Sequence, residues 1–274
     1  MRHRVLAAMV LVCLCGAGSA LAAGASSVSS PPNSYTGNFA VAGATGSNAR
    51  PAAVALSETL GMSSTTQGNV GAPLVDIKTT TYGVKAPNGG MFPKCTVAQI
   101  SANNGNNGKW NAVCSKGSLV ATGTVTAALT SPSANLAGPG APCKLGLWVY
   151  NGGAGKLTFF FTTTPSQCDG LTTGDAAPWL GKVSESGKYL VTNVPEPADV
   201  SYNAGNIGLF GSLESEVLHF KKLSIKKGGK VYPYIESTGC TNHARPFTVT
   251  YTATQSNSGS PTEAVGTVKG KAAC

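Results

Sequence analysis

Phe247-Thr248-Val249-Thr250-Tyr251-Thr252-Ala253-Thr254 alternates an apolar side chain with a threonine along its whole length. Successive side chains of an extended strand point to opposite faces. One face of this stretch is therefore apolar and the other hydroxylated, the pattern of a half-buried antiparallel strand. Leu119-Val120-Ala121-Thr122-Gly123-Thr124-Val125 and the run from Leu74 to Tyr82 read the same way. Such runs recur along the chain, separated by Gly, Pro, Asn and Ser, the residues that turns require.

Two hairpins extend the pattern. The first is Leu145 to Tyr150, then Asn151-Gly152-Gly153-Ala154-Gly155, then Lys156 to Thr164. Phe159-Phe160-Phe161 in its return strand puts rings on both faces, which predicts a central position. The second runs from Val217 to Ile225, turns at Lys226-Lys227-Gly228-Gly229 and returns along Lys230 to Glu236. Pro233 has no amide donor, which places that return strand at an edge. Helical signals are few: one turn over Thr96 to Ile100 capped by Thr96, and another over Leu213 to Val217. The pattern predicts an all-β antiparallel β-sandwich, Ig-like or jelly-roll-like, with one or two short helical turns. We expect the sandwich over 51–274. Division into two subdomains near 165–174 is the alternative, because a chain of this length sits at the usual limit of one core.

The N-terminus reads as a secretory signal peptide over 1–23. Arg2, His3 and Arg4 precede the apolar run Val5 to Leu14 and the small-residue stretch Gly16 to Ala23, with cleavage expected near Ala22-Ala23. The apolar run is shorter than the roughly 20 residues that cross a bilayer. Cys13 and Cys15 follow Val12 and Leu14, where lipid attachment calls for a small residue. Residues 24–50 are rich in Ala, Gly, Ser, Pro and Asn and are expected to form a flexible leader.

Past the signal the cysteines are Cys95, Cys114, Cys143, Cys168, Cys240 and Cys274. An even number in an exported chain predicts three disulfides. Their spacing favours nearest neighbours: Cys95 with Cys114, Cys143 with Cys168, and Cys240 with Cys274. No Cys-x-x-Cys occurs, so the spacing does not describe a metal site.

Three stretches carry a resemblance: Phe92-Pro93-Lys94-Cys95-Thr96-Val97-Ala98-Gln99-Ile100, Ala112-Val113-Cys114-Ser115-Lys116-Gly117-Ser118, and Val120 to Val125. Together they resemble secreted β-rich proteins of actinobacteria in which a Pro-x-Cys turn and short helix are closed by a Cys-x-x-Gly-Ser step into a strand. The resemblance implies a β-rich exported domain with one early disulfide. It implies no activity and assigns no functional residue.

Catalytic motifs are missing: no Gly-x-Ser-x-Gly elbow, no His-Glu-x-x-His, no phosphate loop and no dinucleotide fingerprint. A Ser-His-acid site has only His219 or His243 to draw on. His219 alternates with Leu218 and Phe220 and is expected to face solvent; His243 falls in a polar turn. Glu214 and Glu216 lie two apart, and a glycosidase needs two carboxylates several ångströms apart. Asp169 and Asp175 share a loop but lack the dense oxygen ligands of a calcium loop. No cofactor and no metal is called for.

Charge is more informative. The chain is formally +9, and without Arg2 and Arg4 it retains 18 bases against 11 acids, or +7. From His219 onward eight bases face two acids, so almost all of the excess lies in the last fifth. Lys221, Lys222, Lys226, Lys227 and Lys230 gather on the second hairpin beside Tyr232 and Tyr234. A basic edge of this kind holds anionic wall polymer or lipid headgroups. Lysines on an edge also block edge-to-edge pairing, which is the bland explanation. No nucleic-acid motif is present. Two functions remain: a non-enzymatic exported or envelope-associated sandwich with a binding or structural role, or a secreted hydrolase acting on a glycan or ester.

Overall fold

In the computed structural model the Phe247–Ala253 stretch lies between two antiparallel neighbours, and its four apolar side chains are all buried. The structure describes residues 26–104, 109–130, 138–168, 177–195, 210–254 and 263–274. The expected signal peptide, and Asp169 with Asp175, lie outside them. In chain order the strands are β1 (Ser26–Ser30), β2 (Asn33–Gly43), β3 (Ala52–Ser64), β4 (Leu74–Tyr82), β5 (Val84–Lys85), β6 (Leu119–Thr130), β7 (Ala141–Gly153) and β8 (Lys156–Thr162). They continue with β9 (Trp179–Ser186), β10 (Tyr189–Pro195), β11 (Phe210–Phe220), β12 (Ser224–Lys227), β13 (Lys230–Pro233), β14 (Glu236–Ser237), β15 (Ala244–Thr254) and β16 (Glu263–Ala273). One α-helical turn, α1 (Val97–Ser101), and several 3-10 turns complete the described chain. The fold is all-β and antiparallel, as the alternation predicts.

A single sheet builds the sandwich. Its order is β1-β2-β3-β11-β6-β7-β8-β9-β10-β4-β15-β16, with β14 pairing β3 and β5 off this path. The sheet curls until its ends meet: β2 packs on β16, and β1 lies along β16. Tyr35 of β2 stacks on Tyr251 at 4.6 Å between ring centroids, and Phe39 meets Phe247 at 4.8 Å. Glycines permit this approach. A Cβ on Gly266 would overlap the Tyr35 ring, and one on Gly270 the Phe247 ring. The Tyr251 hydroxyl donates to the Thr36 carbonyl at 2.6 Å, and Ser30 Oγ donates to the Val265 carbonyl at 3.0 Å.

Residues 26–43 are therefore not the flexible leader their composition predicts. From Ser26 to Gly43 they form β1 and β2, and Tyr35 and Phe39 belong to the core. The glycines and serines that resemble a linker are the small residues a close layer contact needs.

The Phe159-Phe160-Phe161 run is buried on both sides. Phe159 and Phe161 face the main core, while Phe160 joins Cys95, Ile100 and Tyr150 in a separate outer cluster. That outer cover is the segment around α1. Thr96 caps the helix, accepting from the Gln99 amide while the Gln99 side chain accepts from the Thr96 amide, and Cys95 is disulfide-bonded to Cys114. Buried Asn151 fastens the cover to β7, its Nδ2 donating to the Gly89 and Pro93 carbonyls at 2.9 Å each. The other disulfides, Cys143–Cys168 and Cys240–Cys274, also follow the nearest-neighbour expectation.

Two local expectations change. Leu213 to Val217 is no helical turn but part of β11, with a register irregularity between Leu213 and Ser215. The second hairpin is shorter than its sequence suggests, because β11 ends at Phe220 and joins the main sheet. The proposed split near 165–174 lies partly outside the described residues, and β8 pairs β9 across it.

Candidate interaction surface

After β11 the chain leaves the sheet, and among the described residues β12 and β13 pair only with each other. Gly228 and Gly229 close the turn with φ of +57° and +77°, a left-handed pair that L side chains adopt at a cost. Ile225 anchors the base of the hairpin on the core. Lys221, Lys222, Lys226, Lys227 and Lys230 are all exposed, and none forms an ion pair with a described residue.

The register divides these lysines. Directly opposite residues share a face, so Lys227 and Lys230 stand together on the face of Ile225 and Tyr232. Lys226 stands on the other face, opposite Val231, which is 62 % exposed. The tip thus presents ammonium groups on both faces around one bare apolar side chain.

Tyr234 does not belong to this surface. It is buried, with its ring edge-on to Phe92 at 5.1 Å, and burial pushes its hydroxyl pKa up. Beyond Pro233 the chain re-enters the core, and Tyr234 serves packing. Tyr232 is partly exposed and stays with the hairpin.

The histidines separate clearly. His243, exposed, sits in a turn with Asn242, at φ of 57° and 49°. His219 is on the outer face of β11, and its Nδ1 is 2.9 Å from Ser57 Oγ on β3. That supplies two of the three groups of an acyl-transfer triad. No described carboxylate is hydrogen-bonded to the ring, and the pair stands on an open sheet face.

The carboxylates rearrange more than the sequence suggests. Glu214 and Glu216 part company: Glu214 is exposed at a depression of about 350 Å³ also lined by Ser27, Ser29, Ser34, Thr36 and Ser63. Glu216, half-buried, instead lies on the inward face of β11 beside buried Glu58. They are diagonal neighbours on β11 and β3, each directly opposite a buried leucine, Leu60 and Leu218. Burial pushes the Glu216 carboxyl pKa up to about 7; burial, and then the charge of Glu216, raises that of Glu58. Neither accepts a hydrogen bond from a described residue.

Lys78, Lys156, Lys182, Lys269 and Lys271 escape sequence reasoning because they lie on four strands far apart in the chain. Only strand register brings them to one face. Alternation within each strand marks every one of them as outward; it does not say which strands are neighbours. Among the described residues no group of three or more His, Cys, Asp or Glu is placed to hold a metal ion, and no helix is long and apolar enough to cross a membrane. No family model, curated protein or solved structure matches the chain.

Proposed function

We propose that this chain is an exported, disulfide-stapled β-sandwich that works by binding, with the β12–β13 hairpin as its contact for anionic wall polymer or lipid headgroups. Its contact residues are Lys221, Lys222, Lys226, Lys227, Lys230 and Tyr232. The observation that carries this reading is a hairpin outside the main sheet bearing exposed ammonium groups with no carboxylate partner among the described residues. Unpaired charge of one sign raises the local concentration of the opposite ion and steers association. The signal-like N-terminus and the three disulfides support export.

The test is retention on envelope and lipid fractions at low and high salt, with all five lysines changed to Gln in a parallel sample. Salt-sensitive retention lost in the Gln variant supports the hairpin contact; equal retention of both overturns it.

A second reading, a secreted hydrolase acting on an ester, has one observation behind it, the Ser57–His219 hydrogen bond. Turnover of an activated acetate ester that disappears in Ser57→Ala would favour it; no turnover by the parent would end it.

A further inference from the structure

The outer face of β9, β10, β4, β15 and β16 collects a second set of cations. Lys182 lies opposite Asn193, Asn193 opposite Lys78, Lys78 opposite Thr250, and Thr250 opposite Thr267. In the next row of the same face Thr80 is opposite Thr248, and Thr248 opposite Lys269; Lys271 follows two residues further along β16. Lys156 of β8 lies directly opposite Lys182. All five lysines are exposed and make no ion pair with a described residue. Like charges directly opposite one another destabilise a sheet, so the Lys156–Lys182 pair has no folding rationale.

Two further groups share this face. Thr80, Thr248, Thr250, Thr267 and Asn193 place hydroxyl and amide groups between the charges. Tyr82 and Tyr189 are cross-strand partners with ring centroids 5.3 Å apart, edge to face, and Tyr189 is 37 % exposed. Strands are about 4.8 Å apart, so Lys182 and Lys78, two strands removed, are about 10 Å apart. The surface is a curved array of spaced cations, hydroxyls and an aromatic pair, on which Asp76 lies beside Lys78, Glu263 stands toward the start of β16, and Leu180 and Val265 are exposed apolar side chains.

We propose that this sheet face docks an acidic polysaccharide. Its carboxylate or sulfate groups pair with the spaced ammonium groups, its hydroxyls exchange hydrogen bonds with the threonines and Asn193, and the apolar face of a sugar ring lies on Tyr189. The aromatic pair and the hydroxyls favour a charged glycan over a phosphate polymer, which presents few apolar faces to stack. The surface is separate from the β12–β13 hairpin and shares only the sign of its ligand with the function proposed above.

The test is elution of the full exported chain from immobilised polygalacturonate and dextran sulfate along a salt gradient. Lys78→Gln/Lys182→Gln/Lys269→Gln/Lys271→Gln is run beside Tyr189→Ala and the five-lysine hairpin variant, with thermal melting to confirm the fold. The sheet-face variant is expected to elute at much lower salt and to bind soluble polygalacturonate at least tenfold more weakly. Tyr189→Ala is expected to weaken glycan binding without changing retention on a simple cation-exchange resin. Coelution of the sheet-face variant with the parent overturns the proposal and leaves the hairpin reading standing. Loss confined to the hairpin variant does the same. Equal binding of the parent to anionic vesicles or single-stranded DNA, unaffected by Tyr189→Ala, overturns the glycan assignment.

Discussion

The hairpin of β7 and β8 and the hairpin of β12 and β13 share a local design: two antiparallel strands joined at a glycine-containing turn. Their surroundings differ completely. The first is sealed on its inner side by the sandwich core and on its outer side by the segment around α1, so that Phe159, Phe160 and Phe161 are each no more than 5 % exposed. The second rests on the core through Ile225 at its base and is bare at its tip. Burial is a property of what lies above and below a strand. Where both layers are supplied, sequence is spent on packing; where neither is, it is free to carry charge.

Two variants probe the covered hairpin, two probe the packed sandwich around it, and one probes the bare hairpin. Phe160→Ala should be the most damaging, costing about 3–5 kcal/mol by loss of buried area and a residual cavity. A urea midpoint within error of the parent would show that the outer cover does not seal β8. Replacing Cys95 and Cys114 together by Ala should cost about 2–4 kcal/mol by freeing the unfolded chain. It should also raise amide exchange around Phe160, which mass spectrometry reads directly.

Glu216→Gln should act in the opposite direction. The folded carboxyl is pushed up to about 7 while the unfolded one stays near 4.5. The contribution of the Glu216 carboxyl is thus fully present below pH 4.5, is lost as pH rises toward 7, and is level above. The Gln variant should gain up to roughly 3 kcal/mol over the parent at pH 8 and nothing at pH 4. Equal gains at both pH values would rule out titration as the cause. Gly266→Ala forces a methyl into the Tyr35 ring and should cost about 1–3 kcal/mol, read as a lowered Tm. On the bare hairpin, changing all five lysines to Gln should leave stability within about 0.5 kcal/mol of the parent; a larger loss would mean the tip is held by contacts and is not bare.

What the residues announced, and what they hid, follows from the same contrast. β15 and β4 were legible because one face is buried and the other wet, which writes an alternation into the sequence. The α1 turn was legible because Thr96 and Gln99 carry a local hydrogen-bond reciprocity. β1 and β2 were hidden: close packing against β16 selects Ser and Gly, the composition of a linker. Tyr234 is hidden as a core residue because sequence adjacency to a basic run gives no warning that the chain turns inward after Pro233. Neither the Glu58–Glu216 pair nor the second lysine face is local in sequence, and both depend on which strands are neighbours.

Among the described residues no backbone ladder joins β1 to β16, although the two lie side by side. Mechanically the molecule is a split ring and not a hoop. A hoop distributes strain around its circumference, since every strand is zipped to two others; a split ring yields along one line. Here that line is held by the Ser30–Val265 and Tyr251–Thr36 hydrogen bonds and by the ring contacts behind them. Breathing motions should therefore begin at this gap and fade toward the opposite wall, where β6, β7 and β8 act as the spring that closes it again.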